Sequence, residues 1–429
     1  MTKGLPKIPS GIPGFDQISY GGIPEDKCTI VSGTSGSGKT IFSAQFLYNG
    51  IMEHEENGVF VTFEEWPADI MTNMKGFGWD IERMQTENKW AFVDASPDET
   101  DNIEVGRYDF GAFLARVEYA VHRVKAKRVT IDSISSIFFH YQDPAIIRRE
   151  LYRIISRLKK MNITCLITVE RETEEDKNSM FGVEQFVSDN IILLHNRLNE
   201  NGKRDRSIEI LKFRGSAHDS QEVPLLIDRH GVKIYPLVRP ELKAKMSDQK
   251  VSIGIKGLDE MLYGGIYQNS ITLITGASGT GKTVAGLHFL MEGARRGENT
   301  LMLEFEESPD QLCTNASSFG WELKKYVDEG SIQLLCQYDE SLRAEQYLDL
   351  IRCMVVKHQI KRFVMDPVSS LQRIYSDDKF WEFVTILTDF LRIQNITALF
   401  TSISHQILGG SELSEIKVST TVDNIIILK

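Results

Sequence analysis

The chain has 429 residues and a formal net charge of −11 at pH 7. With 41% hydrophobic and 25% charged residues it reads as ordinary globular protein, long enough for two cores and neither disordered nor fibrous. The acidic balance, without a concentrated basic patch, weighs against a nucleic-acid binder, whose affinity rests largely on cationic contacts to phosphates.

In chain order, Ile12-Pro-Gly-Phe-Asp16 and Tyr20-Gly-Gly-Ile23 lead into an apolar, β-branched run at Thr29–Ser32. Gly33, Thr34, Ser35, Gly36, Ser37, Gly38, Lys39 and Thr40 follow and match G-x-x-x-x-G-K-[ST] in full. A helix-like stretch, Ile41–Leu47, comes next, so the motif has the strand–loop–helix context it needs. The glycines let successive backbone N–H groups converge on phosphates, and the helix N-terminus adds positive potential. Lys39 would reach the terminal phosphates of ATP, and Thr40 would bind a Mg²⁺ ion.

The strand Gly58–Phe63 runs into Glu64-Glu65. Carboxylates at the C-terminal end of a strand lie where an α/β sheet binds ligands. One of the pair can act as base for a water or hydroxyl nucleophile, and mutual repulsion would raise one pKa. Alternation points the two in different directions unless the chain turns there. After Phe77-Gly78-Trp79, a second apolar strand, Arg128–Asp132, ends on a carboxylate placed to orient a water on Mg²⁺. Ser188-Asp189-Asn190 opens a further apolar run, and strands are expected at Ser207–Phe213 and Val223–Asp228. Lys212 and Arg214 precede Gly-Ser-Ala-His218; alternation puts both cations on one strand face, able to point at one phosphate. In a ring of subunits a neighbour often supplies such a charge.

A polar, basic stretch from Leu237 to Lys250 lacks periodicity and marks a boundary between domains at 1–240 and 251–429. Beyond it the pattern repeats. Ile255-Lys-Gly-Leu-Asp259, Tyr263-Gly-Gly-Ile266 and the strand Ile271–Thr275 lead to Gly276, Ala277, Ser278, Gly279, Thr280, Gly281, Lys282 and Thr283, a second full phosphate loop. Phe305-Glu306-Glu307, Phe319-Gly320-Trp321, Phe363-Val-Met-Asp366 and Val422-Asp423-Asn424 complete it. Glu306 and Glu307 are the candidate bases, Thr283 and Asp366 the candidate Mg²⁺ holders. The second copy reaches Lys429 without a counterpart of the Ser207–Phe213 and Val223–Asp228 strands.

Strand runs alternating with helical stretches predict an α/β chain of two P-loop domains with mostly parallel sheets. The five cysteines form no C-x-x-C pair, which argues against a zinc site or disulfide framework and for mostly buried or inert thiols. No apolar run approaches the roughly 20 residues of a membrane span, and the N-terminus is not a signal peptide, so a cytoplasmic location is expected.

Taken together, the tandem copies, the paired glutamates, Arg148-Arg-Glu-Leu151, Glu184–Asn190 and Lys212-Phe-Arg-Gly-Ser resemble the RecA-like P-loop ATPases, and more narrowly the KaiC family, over about Ile8 to Lys429. The resemblance implies a homohexameric ring, with Lys212, Arg214 and His218 contacting ATP. The first domain would be a slow ATPase. The second would be a serine/threonine autokinase that also dephosphorylates, in circadian-type timing, with a KaiB-like partner. The family's phosphosites fall on Ser419 and Thr420, and a third hydroxyl position on Ser414. The first copy has Gln185 and Phe186 at the matching places, which cannot accept phosphate. The family's second Lys-x-Arg segment and KaiA-binding tail would lie past Lys429, so a KaiA-like partner is in doubt if that end is native rather than the edge of a longer chain, and Pro367 stands where the first copy has Ser133. Two other readings are a nucleic-acid-dependent RecA-like ATPase, disfavoured by charge, and a scaffold that uses ATP only to assemble, disfavoured by intact Lys, Thr, Asp and Glu in both copies.

Overall fold

A computed structural model describes residues 5–96, 108–138, 141, 143–174, 187–198, 202, 204–236, 247–336, 343–373, 375–403 and 421–429. Gln185, Phe186, Ser414, Ser419 and Thr420 lie outside the described residues. The chain falls into two compact units, Met1–Pro236 and Leu237–Lys429.

In the first unit the strands are β1 (Lys7–Ile8), β2 (Ile23–Pro24), β3 (Cys28–Gly33), β4 (Gly58–Thr62), β5 (Trp90–Asp94), β6 (Arg128–Asp132), β7 (Thr164–Glu170), β8 (Asn190–Leu198), β9 (Arg204–Phe213), β10 (Val223–Asp228) and β11 (Gly231–Ile234). The main sheet runs β11-β10-β9-β8-β3-β7-β6-β4-β5. From β8 to β5 all neighbours are parallel, and β9, β10 and β11 are added antiparallel. In the second unit the strands are β12 (Lys250–Val251), β13 (Ile266–Tyr267), β14 (Ile271–Gly276), β15 (Thr300–Glu304), β16 (Ile332–Cys336), β17 (Arg362–Asp366), β18 (Thr397–Ile403) and β19 (Asn424–Leu428). Its sheet, read as β19-β14-β18-β17-β15-β16, is parallel throughout and has the strand order of β8-β3-β7-β6-β4-β5. The repeat seen in the residues is thus a repeat of topology.

The central strands are apolar on both sides because helices cover both faces, as parallel sheets require. Within β3, Ile30 joins the core beneath helices Phe110–Val124 and Pro144–Lys160, while Val31 joins the one beneath helix Lys39–His54. Leu273 and Ile274 of β14 divide the same way. The repeated Ile-x-Gly-x-Asp and Tyr-Gly-Gly motifs are architectural. Asp16 and Asp259 accept from the Ser10 and Ile253 amides at 2.9 and 2.8 Å. Gly22 has φ +112°, and a Cβ there would stand 2.0 Å from the Ile8 carbonyl oxygen; Gly265 repeats this against Val251.

At the start of β6, buried Arg128 donates to Phe46 and Pro9 carbonyls at 2.9 Å, pairs with Glu56 at 2.6 Å and covers the Phe46 ring. Arg362 of β17 does likewise with Glu298, Ser252, Phe289 and the Phe289 ring. The cysteines divide: Cys28 and Cys165 are buried, but Cys353 is exposed, so the expectation of inert thiols does not extend to it. Among the described residues no helix is long and apolar enough to cross a membrane.

Candidate nucleotide sites

Each phosphate loop leaves the end of a central strand, β3 or β14, and enters a long helix, Lys39–His54 or Lys282–Arg295. Gly36 and Gly38 have φ +73° and +100°, and Gly279 and Gly281 have +81° and +91°. These left-handed turns, open to glycine, wind the backbone N–H groups inward. Gly38 and Gly281 are the N-caps, so no side chain caps either helix, and its first N–H groups are left for a ligand. Ser37 Oγ is buried without a hydrogen-bond partner, a further polar group in the loop. The Lys39 ammonium donates to the Gly33 and Thr34 carbonyls at 2.9 and 3.0 Å, and Lys282 to Gly276 and Ala277 at 2.9 and 2.7 Å. Burial lowers the pKa of both lysines, opposed by Glu170, Asp132 and Glu64 in the first unit and by Asp366 and Glu306 in the second.

Asp132 and Asp366 end β6 and β17 beside these loops, both buried. Burial raises both carboxyls. Thr168 and then Thr40 pull Asp132 down, and Thr283 and then Thr401 do so for Asp366. The Thr168 and Thr401 hydroxyls, one strand over, donate to these aspartates. Among the described residues no three His, Cys, Asp or Glu side chains cluster as a metal cage. The group that fits is a hard divalent cation held by one hydroxyl and one carboxylate with waters and phosphates. Thr40 with Asp132 and Thr283 with Asp366 have that donor set, and Asp366 Oδ2 is buried with no hydrogen-bond partner.

The paired glutamates separate. Glu64 and Glu65 are exposed side chains, and the protein around them only partly desolvates them. Partial desolvation raises the Glu64 pKa, with Asp132 and Glu170 adding to the rise and Lys39 opposing it. Glu65 is raised in the same way, but it bonds Asn73 on helix Pro67–Lys75. In the second unit Glu306 lies near Lys282 and Asp366, with Ser370 Oγ 3.4 Å away, whereas Glu307 accepts from Asn315 on helix Pro309–Ser318 at 2.9 Å. The first glutamate of each pair therefore faces its loop, and the second is tied to the following helix.

Lys212, Arg214 and His218 do not join this cluster within their own chain. Lys212 Nζ donates to the Ser188 carbonyl at 3.0 Å, Arg214 stands 3.8 Å from Asp189, and His218 Nδ1 is 2.8 Å from the Asp219 carbonyl oxygen. β9 ends at Phe213, and Arg214 lies one residue past it, before the left-handed Gly215.

Several neighbours went unread in the sequence. Glu170 at the tip of β7 stands 3.9 Å from Lys39 Nζ; an acid ending an apolar strand was the available signal. Glu174 accepts from the Thr34 hydroxyl and, at 3.1 Å, from the Asn196 amide, bracing the first loop from β8. Ala277 replaces Thr34 in the second loop and cannot repeat that bond. Glu304 ends β15 where Thr62 ends β4. It is buried beside Asp366, which with burial pushes its carboxyl up to about 8, against the pull of the Glu306 and Glu307 N–H groups.

Parallel α/β units, each with a phosphate loop, a strand-end aspartate and a glutamate facing the lysine, define a tandem RecA-like P-loop ATPase. The family model "ATPase: KaiC" matches residues 8–239 and again 251–429. The "Circadian clock protein KaiC3" of a Synechocystis species is 43% identical over 430 aligned residues, covering all of this chain and 85% of that protein. The "Circadian clock oscillator protein KaiC" of Parathermosynechococcus lividus is 43% identical over 427, covering 79% of it, and that of a Nostoc species 42% identical over 427, covering 82%. The chain belongs to the KaiC family; it binds ATP and is an ATP hydrolase.

Proposed function

We propose that the chain is a KaiC-like serine/threonine autokinase as well as an ATPase, acting in circadian-type timing or signalling as a homohexameric ring. The observation that carries this reading is that both units bring lysine, threonine, aspartate and glutamate to one loop, so neither has the look of a dead site. The proposed division is by domain: 1–240 hydrolyses, and 251–429 transfers phosphate to Ser419 and Thr420.

In the first unit Lys39 and the loop N–H groups hold the phosphates, and Glu64 takes the proton of the attacking water as the bond to the leaving diphosphate breaks. In the second, Lys282 and Glu306 play these parts toward a Ser or Thr hydroxyl. Mg²⁺, held by Thr40 and Asp132 or by Thr283 and Asp366, would neutralise charge on the phosphates when bound. Lys212, Arg214 and His218 are assigned to the neighbouring subunit's nucleotide, since within their own chain they turn away from the loop. A KaiB-like protein is the proposed partner.

The test separates the units. Glu64→Gln should remove most steady-state ATP hydrolysis and leave phosphate incorporation intact, while Glu306→Gln should do the reverse. Variants that lower both activities together would overturn the division of roles.

A further inference from the structure

The two units tie down their glutamate pairs by different chemistry. In the first, the Thr62 hydroxyl donates to the Glu65 carbonyl at 2.6 Å. In the second, the matching strand end is Glu304, 2% exposed, and its Oε1 accepts from the Glu306 amide at 2.9 Å and the Glu307 amide at 3.2 Å. Its Oε2 is buried with no hydrogen-bond partner. Glu304 and Asp366 are register partners on adjacent parallel strands, so their side chains leave the same face of the sheet. A polar carboxyl group in that place is costly to bury, and two backbone bonds are what it gains there.

We propose that Glu304 is a positioning residue for the second unit: its carboxyl oxygen clamps the turn after β15 so that Glu306 faces Lys282 and the nucleotide. The clamp acts on the backbone of both glutamates at once, which a hydroxyl donor such as Thr62 does not. Loss of the clamp frees the turn to move, and a displacement near 1 Å at a reacting group costs on the order of 10²-fold in rate. The phosphate loop itself is not touched, so nucleotide affinity should be spared. This inference rests on Glu306 being the base of the second unit.

The experiment uses the full chain with Glu64→Gln, so that the first unit is silent, and follows the rate of phosphate incorporation by the second. Glu304→Ala should lower that rate on the order of 10²-fold with the half-saturating ATP concentration unchanged. Glu304→Gln, whose side-chain carbonyl accepts the same two N–H groups, should restore most of the rate. Glu304→Asp, too short to reach them, should behave like Ala, and it carries the test if the Ala variant fails to fold. A wild-type rate of phosphate incorporation in a folded Glu304→Ala or Glu304→Asp protein would overturn the proposal, as would a Gln variant as slow as Asp. Glu306→Gln in the same background tests the underlying reading. If it incorporates phosphate normally, the base assignment has failed; if it alone is inactive, only the role of Glu304 has.

Discussion

Glu64 and Glu65 are the same residue twice, and what tells them apart is a partner eight residues further on. Asn73 holds Glu65, as Asn315 holds Glu307, and this leaves Glu64 and Glu306 facing the lysines. Glu64→Gln should therefore lower first-unit hydrolysis on the order of 10²–10⁴-fold, and Glu65→Gln far less, measured as phosphate release with Glu306→Gln in the background. Partial desolvation, Asp132 and Glu170 raise the Glu64 pKa. A base works deprotonated, so the rate should fall as pH drops through that raised pKa, at a higher pH than an ordinary glutamate would give. A kcat–pH profile checks this, and an acid limb at the ordinary glutamate position would contradict it. Alternation would have separated the two glutamates only if the strand ran through them, and it does not: β4 ends at Thr62 and β15 at Glu304, so both pairs lie in a turn; which one faces the loop was not legible, because it depends on a helix that packs back only after folding.

At the scale of elements, the central strands and both phosphate loops were legible because each is a continuous apolar run ending in a motif fixed by backbone geometry. The sheet order was not, since parallel neighbours are set by crossovers rather than by local pattern. Nor was the work of Arg128 and Arg362, which look like ordinary strand-edge cations and turn out to be buried. Arg128 joins β6 to helix Lys39–His54 and to the segment before it through the Phe46 and Pro9 carbonyls and Glu56. Arg128→Ala leaves a carboxylate and carbonyls without their donor and should cost about 3–5 kcal/mol. Chemical denaturation of the full chain should show that loss in the first unit's transition; a change under about 1 kcal/mol, the size of an exposed ion pair, would show the pair to be solvated.

For the whole molecule, the proposed ring assigns Lys212, Arg214 and His218, which contact Ser188, Asp189 and Asp219 within their own chain, to a neighbouring subunit's nucleotide. ATP should then drive assembly, because it binds the assembled state preferentially. Light scattering should report a ring with ATP and smaller species without it, and Lys212→Ala with Arg214→Ala should weaken assembly; a monomer that hydrolyses ATP at full rate would sink the shared-site reading. The division of labour between two similar units is the central claim, and its chemistry ends on two hydroxyls, Ser419 and Thr420, for which the first copy offers Gln185 and Phe186. The most direct measurement is mass-spectrometric mapping of phosphate on the full chain after incubation with ATP, in the wild type, in Lys282→Ala and in Ser419→Ala/Thr420→Ala. Phosphate on Ser419 and Thr420 that disappears in both variants is the expected result; phosphate that persists in Lys282→Ala, or none on these residues in the wild type, would contradict it.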